Sequence, residues 1–412
     1  MRIKSAADVL SRRDFLQFAG AAVAGVGLLG SHRSAFGQAA LADIEIRFGA
    51  ADEVPPADAG IDRGRLDDLT ELFQKQIRDG IHPGAQLTVI KGDQVVFDRW
   101  GGIAIKPTTQ MRHDTKMLLF SSTKPLGAVC TMMLVEQGDL ELDSPVAGYW
   151  PAFARNDPQK EQVTVRHVLG HQGGFPTGPP GFAYEHFNDP AAAMRAMERV
   201  ELKTDPGSKF EYHPLNYGWV LGELIRRTSG MPVDRFMRER LFEPLGCLNS
   251  SLGVPADELD EVSFMYRVTD REHPIEIWNS PSVRQASCCA ACGHMPASDL
   301  AKFYRMLARG GLTERGDRLL SEATVRLMTT RGTVEKTGEK SSYGLGFAIG
   351  RTAGGDTVGG SNFGHGGSAS SFGWCERELD LVAAFITNGH QEGVAHRSRM
   401  AAISDSVRAL VG

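Results

Sequence analysis

Apolar residues recur at helical spacing from Ile61 to Arg78, at Ile61, Leu66, Leu69, Leu72, Phe73 and Ile77, and the run stops at Asp79-Gly80. That period predicts an amphipathic helix. Next, Ala85-Gln-Leu-Thr-Val-Ile90 and Gln94-Val-Val-Phe-Asp98 flank Lys91-Gly92-Asp93, which predicts a β-hairpin with a glycine turn. From about Ser121 to Gly310 helical patterns dominate, broken by Gly/Pro-rich loops such as Gly173 to Pro180. Toward the C-terminus, Tyr343–Ile349, Ser371–Trp374 and Leu381–Thr387 read as strands, and a last helix spans about Val394 to Val411. Strands at both ends around a helical middle predict an α/β (α+β) protein with one antiparallel sheet assembled from both chain ends. The α/β part is expected at roughly 43–120 and 297–412, with a mainly helical insertion at roughly 121–296.

The first residues read as an address rather than as part of the fold. Ser11-Arg12-Arg13-Asp14-Phe15-Leu16 carries the paired arginines of a twin-arginine signal. The uncharged run Phe18–Leu29 behind it is too short to span a bilayer, and small residues around Ala40-Leu41-Ala42 offer a cleavage site. Residues 1–42 are therefore expected to engage the Tat export machinery, with a mature chain from about Asp43 working in the periplasm or outside the cell.

Composition narrows the partners. The 412 residues carry 45 Lys and Arg against 50 Asp and Glu, a net charge of −5, with no polybasic run and no interleaving of aromatic and basic residues. Nucleic acid and anionic membrane surfaces are poor partners for such a chain. No later apolar segment reaches spanning length, so no stable membrane insertion of the mature chain is expected.

The six cysteines are scattered except for Cys288, Cys289 and Cys292. Cys289-x-x-Cys292 has only His294 nearby, short of a zinc set, and reads as small residues in a tight Ala/Cys/Gly stretch. A disulfide within that cluster stays open in an oxidising compartment. His167 and His171, spaced i and i+4, lack the glutamate of a metal-binding helix and read as structural. Neither a cofactor nor a metal is expected.

The chemistry concentrates at Ser121-Ser122-Thr123-Lys124, ahead of the apolar stretch Pro125–Val135. A serine and a lysine three apart at a helix start share one face. Burial and the positive end of the helix dipole both lower the pKa of such a lysine, so a neutral amine can take the hydroxyl proton. The alternative nucleophile pattern G-x-S-x-G is absent. A serine hydrolase also needs a proton shuttle and oxyanion donors. Tyr212, on the loop between Pro206-Gly207 and the helix expected from Trp219, is a candidate for the shuttle; Tyr217 is its rival. Trp278 and Trp374 could line an acyl pocket or be buried aromatics.

These segments, in this order, resemble the serine β-lactamase and penicillin-binding-protein superfamily, and within it the class C-like family VIII carboxylesterases. The resemblance runs from Pro83-Gly84-Ala85 and Trp100-Gly101-Gly102 through Phe120–Pro125, Gly138–Val146, Thr164–His171 and Phe242–Gly246. It continues through Ala297–Phe303 and Tyr343–Phe347 to Gly364-His365-Gly366-Gly367. It implies a serine β-lactamase-like fold, with Ser121 as nucleophile, Lys124 as base and Tyr212 as proton shuttle. His365-Gly366-Gly367 would be the third, substrate-binding motif, and the backbone N–H groups of Ser121 and Ser368 the oxyanion hole.

Two features depart from that pattern. The relatives' Tyr-x-Asn is missing, since Pro214 stands where the asparagine would be, and proline offers no side-chain donor. That favours esters over β-lactams. Lys336-Thr337-Gly338 spells a lactamase third motif but lies in a charged loop ahead of the Tyr343 strand, so it reads as a decoy. The expected activity is hydrolysis of small carboxylic esters through a Ser121 acyl-enzyme. The alternatives are a class C-like β-lactamase, a D-amino-acid-specific peptidase or amidase, and a penicillin-recognising binder with little turnover.

Overall fold

A helix, α1 (Arg63–Arg78), leads into the hairpin of β2 (Gly84–Lys91) and β3 (Gln94–Ile105), with β1 (Phe48–Ala50) on the outer side of β3. The computed structural model describes residues 46–412 apart from 52, 106–108, 180–181, 269 and 352–360. The segment 1–42 read as an export signal lies outside the described residues. Helix α1 starts two residues later than its apolar pattern, because the Asp62 side chain accepts the Arg65 N–H and caps it there.

The other half of the sheet comes from the C-terminal region. β4 (Ala348–Ile349), β5 (Phe363–Gly367), β6 (Ser371–Glu376) and β7 (Leu381–Thr387) complete the order β1-β3-β2-β7-β6-β5-β4, all antiparallel. β7 joins the halves: it pairs with β2 from Thr387 opposite Ala85 to Leu381 opposite Lys91. Strand period explains how both faces are buried. Leu381, Ala383 and Phe385 face a core built with Leu69, Phe73 and Ile77 of α1 and with Met400, Ile403 and Val407 of the last helix. Val382, Ala384 and Ile386 face the larger core on the other side. The expected antiparallel sheet flanked by helices is thus what the chain forms.

Among the helices of that larger core, the longest are α2 (Lys124–Gln137), α3 (Asn216–Ser229) and α4 (Ala297–Ala308). Every residue of α2 from Lys124 to Leu134 is buried, as expected of a run that is apolar on all sides. The last helix, α5 (Gly393–Ala409), covers the opposite face beside α1. Among the described residues no helix is long and apolar enough to cross a membrane.

Two departures bear on the site. The strand expected over Tyr343–Ile349 shrinks to Ala348–Ile349, because Gly344 turns the chain back and its N–H bonds the Phe347 carbonyl at 2.9 Å. A small sheet of Met117–Leu118, Gly293–Met295 and Ser251–Leu252 also forms, its first strand just ahead of the helical middle and the other two within it. Strands of two or three residues carry no readable period, yet this one delivers the chain to Ser121.

Candidate active site

Ser121 stands on a 3-10 turn, Phe120–Thr123, that runs straight into α2. The turn is tight: Phe120 takes a left-handed φ of +48°, rare for a bulky side chain. Such backbone is kept only where the surroundings hold it. Here the Leu119 N–H bonds the Gly293 carbonyl at 2.9 Å, and the Phe120 ring meets Trp278 edge to face at 5.3 Å.

Lys124, one turn on, is fully buried. Its amine donates to Ser121 Oγ at 3.2 Å, to the Pro214 carbonyl at 2.8 Å and to the Ala290 carbonyl at 3.0 Å. None of the three is charged, so desolvation dominates and pushes the amine down to about 7. Cys288 and Cys292 oppose that shift. A lysine in this state can accept a proton near neutral pH.

Tyr212 lies on the loop before α3, near enough to Ser121 for that side chain to act on its phenol. The Lys124 amine sits 4.8 Å from the centre of its ring. Burial first, then the neighbouring Tyr343, push the Tyr212 phenol well above its ordinary value, with Ser121 acting in the opposite direction. It is therefore a phenol, a donor, across the working pH range. The rival Tyr217 is wholly buried in α3, where its hydroxyl donates to the Lys124 carbonyl at 3.3 Å.

β5 brings His365, Gly366 and Gly367 against the same turn. Ser122 Oγ donates to the His365 carbonyl at 2.9 Å, and Ser371 Oγ donates to the Leu119 carbonyl at 2.7 Å. A Cβ at Gly367 would lie 2.0 Å from the Leu119 carbonyl oxygen, so only glycine allows the strand this close. Ser368 follows at once, in the turn that joins β5 to β6. Burial, with the Lys124 charge second, pushes the His365 imidazole down to about 3, against its bond to Gly366. Its Nδ1 is 2.8 Å from the Gly366 carbonyl and so carries the proton. Nε2 is left as an acceptor, 3.5 Å from the Tyr343 hydroxyl.

The other candidates fall elsewhere. Lys336 of the decoy triplet lies 3.6 Å from Asp205, and its N–H bonds the Gly207 carbonyl at 2.8 Å. Trp374 belongs to the core between the sheet and helices α1 and α5, away from Ser121, whereas Trp278 borders Phe120 and Tyr184. His167 pairs with Glu335 while His171 stacks among aromatic rings, and no group of three or more metal-ligating side chains occurs among the described residues. All six cysteines are buried and free. The carbonyls of Pro214 and Ala290 escape sequence reasoning because every residue has a carbonyl. Tyr343 is legible only as a strand residue.

Comparison with known proteins gives this geometry a context. The chain is 29% identical over 339 residues to the esterase/beta-lactamase LipL of Mycobacterium tuberculosis, covering 74% of this chain and 77% of that one. An uncharacterized protein of the same organism is 28% identical over 266 residues, 58% of this chain, and the match spans only 65% of that relative's length. Among solved structures, a penicillin-binding protein homolog from Caulobacter crescentus superposes with a TM-score of 0.72 at 27% identity, over 88% of this chain and 99% of that one. A family VIII carboxylesterase gives a TM-score of 0.72 at 25% identity, over 88% and 100%. The family model described as Beta-lactamase matches residues 69–407, and by that match this chain belongs to the beta-lactamase family, within the serine β-lactamase-like superfamily.

Proposed function

We propose that the protein hydrolyses small carboxylic esters through an acyl-enzyme on Ser121, with Lys124 as base and Tyr212 as proton donor. The observation that carries this reading is the uncharged hydrogen-bond set around the buried Lys124 amine, 3.2 Å from Ser121 Oγ. In the first step Lys124 takes the Ser121 proton as Oγ bonds to the ester carbonyl carbon. The carbonyl electrons move onto oxygen, which the Ser121 and Ser368 N–H groups would receive. Collapse breaks the bond to the alkoxy group, which leaves as the alcohol with a proton from Tyr212, itself reprotonated from Lys124. Water then attacks the acyl-enzyme by the same relay and releases the acid. His365 Nε2 offers an acceptor to the substrate.

Support for esters over β-lactams is chemical. Position 214 presents no side-chain amide to a substrate amide, and the carbonyl of Pro214 is taken up by Lys124. Likeness to a family VIII carboxylesterase and to an esterase/beta-lactamase points the same way. Residues 1–42 extend the proposal to twin-arginine export and a periplasmic or secreted site of action.

The test is p-nitrophenyl butyrate hydrolysis by the chain from Asp43 onward, beside Ser121→Ala. Turnover that vanishes in the alanine variant is expected. No turnover by the wild type, with turnover of a chromogenic cephalosporin or a D-alanyl-D-alanine peptide, would overturn the ester reading. A persistent adduct on intact mass, without turnover, would make the protein a binder instead.

A further inference from the structure

His171 is wholly buried and takes a left-handed φ of +56°. Its backbone carbonyl accepts the Glu211 N–H at 2.9 Å, and its ring Nδ1 accepts the His213 N–H at 3.1 Å. The residues on both sides of Tyr212 thus hang from one histidine. Its ring centre is also 4.6 Å from that of Tyr212 and, stacked, 4.9 Å from that of Tyr217.

Since Nδ1 accepts, the ring proton is on Nε2, which is buried and has no hydrogen-bond partner. Burial holds this imidazole well below its ordinary pKa, so Nδ1 stays free to accept. A left-handed backbone and an unpartnered buried N–H are both unfavourable. Glycine or asparagine would occupy that backbone at less cost. What the imidazole contributes in return is an acceptor, spent on the Tyr212 segment, and a ring that packs against both Tyr212 and Tyr217.

We infer that His171 is a positioning residue, which holds the backbone from Glu211 to His213 so that the Tyr212 hydroxyl is aimed at Ser121. The inference rests on the proposed role of Tyr212. It assigns His171 no contact with substrate and no proton of its own to move.

Three variants separate the contributions. His171→Gly keeps the backbone conformation but loses the acceptor and the ring. His171→Asn keeps the conformation and returns an acceptor oxygen near the place of Nδ1. Tyr212→Phe removes the hydroxyl being positioned. With p-nitrophenyl butyrate, His171→Gly is expected to lower kcat about tenfold to a hundredfold, as for a reacting group displaced by about an ångström. KM should stay within about twofold, since substrate binding is not touched. His171→Asn should recover most of the loss, at a thermal midpoint no higher than that of His171→Gly. The double variant His171→Gly/Tyr212→Phe should be no slower than Tyr212→Phe alone, because both changes act through one hydroxyl.

Wild-type kcat in His171→Gly, equal losses in the glycine and asparagine variants, or a full additional loss in the double variant would each overturn the inference. Wild-type kcat in Tyr212→Phe would overturn the role proposed for Tyr212 and this inference with it. Loss in Tyr212→Phe without loss in His171→Gly overturns this inference alone.

Discussion

The Lys124 amine donates to the Pro214 carbonyl oxygen at 2.8 Å. From sequence, Pro214 reads as a lost contact, because proline carries no side-chain donor. The backbone gives the position a different use: with the Ala290 carbonyl it satisfies two of the ammonium's donors without adding a negative charge. Charge neutrality of the partners matters, because a carboxylate in their place would raise the lysine pKa instead of letting burial lower it.

It follows that the side chain at 214 should matter little. Pro214→Ala keeps the carbonyl, so kcat/KM for ester hydrolysis is expected to stay within about threefold of wild type. Stability should fall by about 0.4–1 kcal/mol, through the looser unfolded chain, in urea denaturation. A loss of activity as large as that from removing Lys124 would show that the proline ring itself shapes the site.

Activity should follow the Lys124 titration. Its pKa is lowered to about 7, so the amine is neutral above that value and protonated below it. As pH falls below this point kcat/KM should drop about tenfold per unit, and above it the rate should level off. Lys124→Arg should lose about 10²–10⁴-fold at all pH values, since a guanidinium stays charged. A profile flat from pH 5 to pH 9 would rule out Lys124 as the base.

Gly367 tests how close β5 lies to the Ser121 turn. A methyl group at this position would meet the Leu119 carbonyl at 2.0 Å and Ser371 Oγ at 2.2 Å, and the first of these is backbone. Gly367→Ala should therefore push Ser368 away from Ser121 and cost about a hundredfold in kcat, the scale of a lost oxyanion donor. Overpacking of this kind also lowers stability by about 1–3 kcal/mol. Wild-type kcat in a folded Gly367→Ala protein would remove Ser368 from the proposed mechanism.

Ser122 shares the turn with Ser121 but faces inward, donating to the His365 carbonyl at 2.9 Å. Ser122→Ala leaves that buried carbonyl short of a partner, at a cost of about 1–3 kcal/mol. Thermal unfolding should register the change, with a smaller effect on kcat than in Gly367→Ala. A kcat loss as complete as in Ser121→Ala would mean that the two serines had been assigned the wrong way round.

What can be read in advance follows from repeating geometry. The i, i+3 spacing brings Ser121 to Lys124, and the alternation in Leu381–Thr387 buries both faces of β7. The same logic misses features without a period or a side-chain signature. Gly293–Met295 is too short to alternate, and the carbonyl of Ala290 looks like any other. The two tryptophans take opposite places, Trp278 on the short helix Glu276–Asn279 beside Phe120 and Trp374 on β6 in the far core, and composition does not tell them apart. The spacing of His171 from His167 raises only the question of a metal, while the left-handed backbone that turns His171 toward Tyr212 leaves no trace in that spacing.

The central place of β7 also has a consequence in time. A ribosome makes Ser121, Lys124 and Tyr212 well before β5 and β7, and until β7 arrives the outer edge of β2 has no strand to pair with. Contacts so distant along the chain, among them Gln76 Nε2 to the Arg399 carbonyl at 3.1 Å, form slowly. A bare edge meanwhile invites pairing with other chains. The half-made polypeptide thus lacks the β5 side of the candidate site and carries a bare sheet edge, and both conditions end together when the C-terminal strands dock.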